Sequence, residues 1–173
     1  LTSCCGNLGF VYYELGEFKK GEIISREGIE LAIKNVKDFV LAQSYHHLGM
    51  NLHKLRKTQE SIESFEKAIQ YAKKINQKTI IAYATEFIGI VYHDHFSEYE
   101  KAMDYRKQAL EMCYELNDFQ CIGSCLAGMG DYYTVKGKNN RALESYLEAL
   151  EYHQKCNQTS GIGYIYQSLG GIY

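Results

Sequence analysis

Histidine and cysteine are the residues whose type and spacing could do chemistry in this chain. His46 and His47 are adjacent, His53 follows on the same stretch, and His93-Asp94-His95 forms a second cluster. Imidazole and carboxylate are zinc ligands, but a zinc site needs three or four of them converging at about 2.0 to 2.3 Å. On one helix, neighbouring side chains point about 100° apart, so His46 and His47 cannot both reach one ion. His46 and His53 do share a face, and His93 could approach them from a neighbouring helix. A polar wall is the simpler reading, and no metal is expected. Cys121 and Cys125 stand one helical turn apart, and His153 precedes Cys156 by three residues. No acid is spaced to orient His153 towards Cys156 as a base, and paired helices offer no oxyanion pocket. Packing is therefore the expected role of these residues. The reading is of a chain that is not an enzyme and carries no cofactor.

The elements that position these groups repeat. Gly9, Gly49, Gly89, Gly130 and Gly170 fall at spacings of 40, 40, 41 and 40, and a period of that size marks a stacked repeat. Within each unit apolar residues recur at i, i+3, i+4 and i+7, the helical spacing. Helices are expected from near Leu1 to Leu15, Phe18 to Lys34, Asp38 to Leu55, Thr58 to Ile75 and Thr79 to His93. They continue from Ser97 to Leu116, Asp118 to Val135 and Lys138 to Cys156, with a ninth starting near Thr159. Proline is absent, which suits a chain that is nearly all helix. One extra residue sits in the His93–Ser97 turn, because Ala102 falls 13 after Gly89 where the equivalent residues fall 12 after their glycines.

Local chemistry marks the boundaries. Ser97 with Glu100 reads as a capping box, and Asp38, Thr58 and Asp118 read as N-caps. Asn35, Asn76, Asn117 and Asn157 recur at the ends of second helices, where asparagine tolerates the left-handed conformation that stops a helix. No linker interrupts the series. A single domain is expected, with repeats at about 1–36, 37–77, 78–117 and 118–157 and a truncated unit at 158–173. Both ends read as cuts inside helices, as in a fragment of a longer protein.

Composition excludes several classes. The 173 residues carry 21 acids against 19 bases, a formal net charge of -2, so no basic face for phosphate neutralisation is expected. No apolar run is long enough to span a bilayer, and Gly161-x-Gly163 lacks the strand that a phosphate loop needs. Six cysteines are present, and helical geometry does not readily bridge Cys121 to Cys125. Free thiols packed as small hydrophobes are expected, which favours a reducing, cytoplasmic setting.

The landmarks resemble those of tetratricopeptide repeats. The stretch MGDYYTVKGKNNRALESYLEA from Met129 to Ala149 looks like that family's consensus. The five glycines match its small residue, preceded by Leu8, Leu48, Ile88, Met129 and Leu169. The aromatic three further on is matched by Tyr12, Tyr92, Tyr133 and Tyr173, with Leu52 departing. Second-helix small residues are matched by Gly21, Ser61, Ala102 and Ala142, then by Gly28, Ala68, Ala109 and Ala149. The family's usual proline is missing, and the period is longer than the commoner 34. This longer repeat resembles that of bacterial regulators and of adaptor domains. The resemblance implies an all-α, right-handed solenoid of antiparallel helix pairs, about four and a half repeats long.

It also implies that first helices line a concave groove. Its groove positions fall on Ser3, Gly6 and Phe10, on Gln43, His46, Met50 and His53, and on Tyr83, Glu86, Ile90 and His93. They continue at Ser124, Ala127, Asp131 and Thr134, then Tyr164 and Gln167. This set holds two acids and no lysine or arginine. Clamping a carboxylate tail needs charge-assisted donors, so that use is disfavoured. A protein or peptide segment with a basic or amide-rich stretch and an apolar anchor is the expected partner, with Glu86 and Asp131 pairing its charge and Tyr83 and Tyr164 packing its stem. The alternative is self-association into a homo-oligomer through an apolar end at Tyr164, Ile165, Leu169 and Tyr173. Neither nucleic acid nor membrane is expected to touch this region.

Overall fold

The computed structural model describes residues 2–171, with side chains from Asn7 onwards. Tyr173 and the side chains of Ser3, Cys4, Cys5 and Gly6 lie outside the described residues. Among the described residues nine α-helices follow in order: α1 (Thr2–Glu14), α2 (Phe18–Lys34), α3 (Asp38–Lys54), α4 (Thr58–Lys74), α5 (Lys78–Val91), α6 (Tyr99–Leu116), α7 (Phe119–Val135), α8 (Asn139–Lys155) and α9 (Thr159–Gly170). One π turn, Tyr92–Phe96, follows α5. The described residues contain no strand, so the all-α solenoid expected from the repeat is the observed architecture.

Sequence period decides which face of each helix is buried. In α4, Ser61, Ile62, Phe65, Ala68 and Ala72 form the buried stripe, while Glu60, Glu63, Glu66 and Lys67 face solvent. Each helix packs on its sequence neighbours, and α1, α3, α5, α7 and α9 also touch one another in succession. No two second helices share a comparable contact among the described residues. They are bridged instead by long side chains, as between Arg26 and Glu60 or Tyr114 and Glu148. First helices drawn together and second helices splayed apart give a stack curved towards its first helices. The small landmark residue makes the pairing close. A Cβ at Gly49 would stand 2.7 Å from the Phe65 ring, and one at Gly130 would stand 2.6 Å from Tyr146.

Chain reversal uses left-handed residues. Asn76, Asn117 and Asn157 have φ of 55, 53 and 54°, as expected of asparagine there. Asn35 does not: it stays at φ -104°, its side-chain amide donates to the Leu31 carbonyl at 2.7 Å, and Val36 takes the positive φ of 50°. The cap assignments shift likewise. Asp118 caps α7, its Oδ1 accepting from the Cys121 N–H at 3.0 Å. Asp38 and Thr58 are already helical, with Lys37 and Lys57 before them making no side-chain cap. Ser97 is not the N-cap of α6: it closes the π turn in the left-handed region at φ 54°, and Glu98 precedes α6. The extra residue of this repeat is absorbed just upstream by the π turn, which is how a helix takes an insertion without losing register.

Two cysteines overturn the free-thiol expectation. Cys113 near the end of α6 and Cys121 in the first turn of α7 form a disulfide, with Cα atoms 5.8 Å apart. Comparing Cys121 with Cys125 along one helix misses this pair, because antiparallel packing across the Asn117 turn brings α6 back alongside α7. Cys125 is free and buried, and Cys156 is free and exposed.

Candidate functional site

First helices carry a broad recess. A cavity of about 590 Å³ opens against α1, α3, α5 and α7, and its wall includes Phe10, Tyr13, Glu14, His46, His47, Met50, Tyr83, Glu86, Phe87 and Ile90. Gln120, Ser124 and Gln158 complete the lining, which contains neither lysine nor arginine. Seven of these residues, Phe10, His46, Met50, Tyr83, Glu86, Ile90 and Ser124, lie at the groove positions that the repeat register selects. Glu86 is the chemical centre. It is only 4% exposed, and it lies on the cavity wall. Burial raises its pKa to about 8, the Arg106 guanidinium opposes that rise, and Asp118 adds to it.

His46 stands beside it in an aromatic box. Its ring meets Phe65 and Phe87 edge-on, with centroids 5.7 and 5.5 Å away, and Phe65 and Phe87 stack on each other at 5.4 Å. Burial lowers its pKa to about 3, and His47 reinforces the shift, so the imidazole is neutral at physiological pH. Its Nε2 is buried without a partner. Tyr83 donates to Asp118 at 3.2 Å, the same Oδ1 that caps α7. Burial, then the Asp118 charge, raises the Tyr83 pKa, so its hydroxyl stays protonated.

The remaining groove positions lie elsewhere. Asp131 accepts from Tyr146 at 2.8 Å and from Tyr164 at 2.7 Å, and Thr134 reaches the Tyr146 hydroxyl at 3.4 Å. This group is outside the cavity wall and engages the Asp131 charge internally. Gln43 is half-buried and Gln167 exposed, and neither lines the cavity. His53 is turned into a separate recess of about 380 Å³ with Asp94 and His95. There His53 and His95 share a hydrogen bond of 3.1 Å, Asp94 stands 3.4 Å from His53, and His93 bonds Asp94 at 3.1 Å. The described residues bring no three histidine or carboxylate ligands within metal reach. Cys156 points its thiol at the His153 carbonyl, 3.5 Å away, and not at the imidazole.

Arg106 is the residue that sequence reasoning misplaced. It reads as one of a run of exposed charges on a second helix, yet it is 4% exposed. Its Nη1 donates to the Gly128 carbonyl at 2.7 Å, and it lies where a Cβ on Gly128 would be. The signal was present in that glycine, one turn after Ser124, which leaves room for a long side chain to cross from α6. Tyr13 holds the register of His53 one repeat earlier and was legible by the same rule. His47 and Phe87 each follow a selected position by one residue, a widening that curvature adds and period alone does not reveal.

The repeat period, the helix pairing and the inward first helices agree with one family, whose model matches over 40–115. Residues 40–115 match the tetratricopeptide repeat model. The tetratricopeptide landmarks extend beyond that stretch on both sides, as the glycine series records. Among curated proteins, the chain is 26% identical over 107 residues to regulatory protein RapG of Bacillus subtilis, the match covering 62% of this chain and 27% of that one. Among solved structures, it overlays aspartyl phosphate phosphatase F from Bacillus subtilis with a TM-score of 0.83 at 18% identity, over 99% of this chain and 48% of that one. It also overlays a signal transduction ATPase with a tetratricopeptide repeat sensor from Pyrococcus horikoshii, with a TM-score of 0.78 at 17% identity, over 99% of this chain and 27% of that one. The matches thus cover about half of the Bacillus phosphatase and about a quarter of RapG and of the Pyrococcus ATPase. No helix of the described residues is long and apolar enough to cross a membrane.

Proposed function

We propose that this tetratricopeptide region is a protein- or peptide-binding scaffold, the sensor or adaptor part of a larger regulatory protein, and that its ligand seats in the cavity at Glu86. The observation that carries this reading is a carboxyl only 4% exposed on the wall of a cavity whose lining has neither lysine nor arginine. Such a group is costly unless a ligand satisfies it. Phe10, Met50, Phe87 and Ile90 supply an apolar seat, and the unpartnered His46 Nε2 supplies a second polar point. A segment with an apolar anchor next to a basic or amide group fits that lining. RapG is named as a regulatory protein, which supports the regulatory part. A binding role, and not catalysis, is favoured because Cys156 and His153 are not paired through the imidazole; the phosphatase named among the structural neighbours is matched at an identity that carries fold alone. A cytoplasmic setting would need Cys113 and Cys121 reduced, as Cys125 and Cys156 are, because a disulfide persists in oxidising compartments.

Random peptides selected on the chain test the reading. Glu86→Lys is expected to weaken the selected peptides by on the order of 100-fold, since it replaces attraction by repulsion at a desolvated site. Asp131→Asn, outside the cavity, is expected to change binding little. Equal binding by the Glu86→Lys chain would place the seat elsewhere. The pH profile separates two ligand chemistries. A cationic group needs the ionised carboxylate, so affinity rises as pH climbs through about 8; an amide carbonyl needs the protonated form, so affinity falls across the same range.

Self-association is the second reading, favoured by exposed apolar residues on α1 and just after it, where Val11 and Leu15 are 45% and 65% exposed. The end face at α9 is less apolar than its sequence implies, because Ile165 is fully buried and Leu169 half-buried. A constant monomer mass in light scattering across a wide concentration range would remove this reading.

A further inference from the structure

Outside the groove, one cluster of reactive side chains has no part in ligand seating. The sulfurs of Cys113, Cys121 and Cys125 all lie within 4.8 Å of one another, and all three residues are 0% exposed. Cys121 and Cys125 are one turn apart on α7 and present sulfur on the same face. Cys113 comes from the last turns of α6, across the Asn117 turn, where the left-handed Asn117 and the Asp118 cap fix the two helices together. Two elements joined by a short, ordered turn therefore deliver three soft donors to one point.

We propose that the reduced chain holds one thiophilic divalent cation, such as zinc or cadmium, between Cys113, Cys121 and Cys125. Around an ion with metal–sulfur bonds of about 2.3 Å, three sulfurs stand about 4 Å apart; Cys125 lies within 4.8 Å of the other two, and cleaving the Cys113–Cys121 bond frees that pair to part to the same distance. The donor set is all sulfur, which selects soft or borderline cations over calcium and magnesium. Charge favours a divalent ion over a monovalent one. Three thiolates with a divalent ion leave one negative charge, and Arg106 is the cation that faces Cys125, against the acids Glu86 and Asp118. A monovalent ion would leave two negative charges in the same buried space. The fourth coordination position of such an ion would remain open, since no other described cysteine or histidine joins the cluster.

The chemistry balances in two separate steps. A dithiol reductant such as dithiothreitol cleaves the Cys113–Cys121 bond, giving two protein thiols and one cyclic disulfide of the reductant. Binding then exchanges three S–H bonds for three metal–sulfur bonds and releases three protons to solvent. The disulfide and the metal are therefore exclusive occupants of this joint, because the oxidised pair has already committed two of the three donors.

A chain carrying Cys4→Ser, Cys5→Ser and Cys156→Ser leaves only these three cysteines and is the test protein. It is reduced, freed of reductant without air and titrated with cadmium chloride, reading the ultraviolet sulfur-to-cadmium charge-transfer band and the protons released. One ion per chain, saturating, is expected, and the oxidised form of the same chain takes up none. Adding Cys125→Ser is expected to lower affinity by about 100-fold or more, since losing a direct ligand costs at least as much as losing a group that only supports one. Should that variant lose its helical circular dichroism, Cys125→Ala and the reduced-against-oxidised comparison on the unsubstituted cluster carry the test. No saturable uptake by the reduced chain, or equal uptake after oxidation or by a folded Cys125→Ser chain, overturns the site. The groove reading stands or falls separately.

Discussion

Glu86 connects stability to pH with a definite sign. Its folded pKa is about 8 against an ordinary 4.5, so between those values the folded chain binds the proton and the unfolded chain does not. Stability is therefore highest below about 4.5 as far as this group is concerned, falls as pH rises to about 8, and is flat beyond. Glu86→Gln keeps the shape without the ionisation. It is expected to be more stable than the parent at pH 8 by on the order of a few kcal/mol and indistinguishable at pH 4, read from melting midpoints. His46 acts oppositely: its folded pKa of about 3 lies below the ordinary 6.5, so its contribution is lost as pH falls from 6.5 towards 3. Gly49→Ala supplies a packing test. The added Cβ meets the fully buried Phe65 ring, with an expected cost of about 1–3 kcal/mol, whereas Gly163→Ala meets nothing within 4 Å and gains up to about 1 kcal/mol of helix propensity. At this scale the register of the repeat placed His46, Tyr83 and Glu86 on the cavity wall from sequence alone. Arg106 escaped because helical period tells which face a residue is on, and not whether a glycine opposite makes room for it.

At the scale of elements, turns carry the strain. Val36 is a β-branched residue at φ 50° and 84% exposed, so it gains little packing for an unfavourable backbone. Val36→Gly is expected to stabilise the chain by about 1 kcal/mol, while Asn117→Ala at φ 53° costs a similar amount; thermal midpoints of the pair decide it. The insertion in the third repeat was legible as a spacing of 13 against 12, and the π turn is its physical form. What spacing could not give was the turn's exact phase. Each turn places its left-handed residue two before the first helical one, which carries Ser97 out of its capping role and leaves Lys37 and Lys57 ahead of Asp38 and Thr58. The Cys113–Cys121 bond was illegible for a related reason, since it joins residues across a turn and not along a helix.

For the whole molecule, stability is spread along the stack. Its core is a chain of local clusters: around Leu48 and Leu52, around Phe65 and Ile88, and around Cys125 and Tyr146. Each repeat leans on its neighbours, as in other solenoids. That arrangement leaves first helices free to hold a ligand along their shared wall without opening the core. It also predicts where a ligand must leave its mark. Hydrogen exchange of the chain, with and without a peptide selected on it, is the most direct measure of the central claim. The expected result is slowed exchange concentrated in α3, α5 and the first turns of α7, where His46, Tyr83, Glu86 and Gln120 line the cavity, and abolished by Glu86→Lys. Protection confined to the second helices, or unchanged by Glu86→Lys, would contradict it.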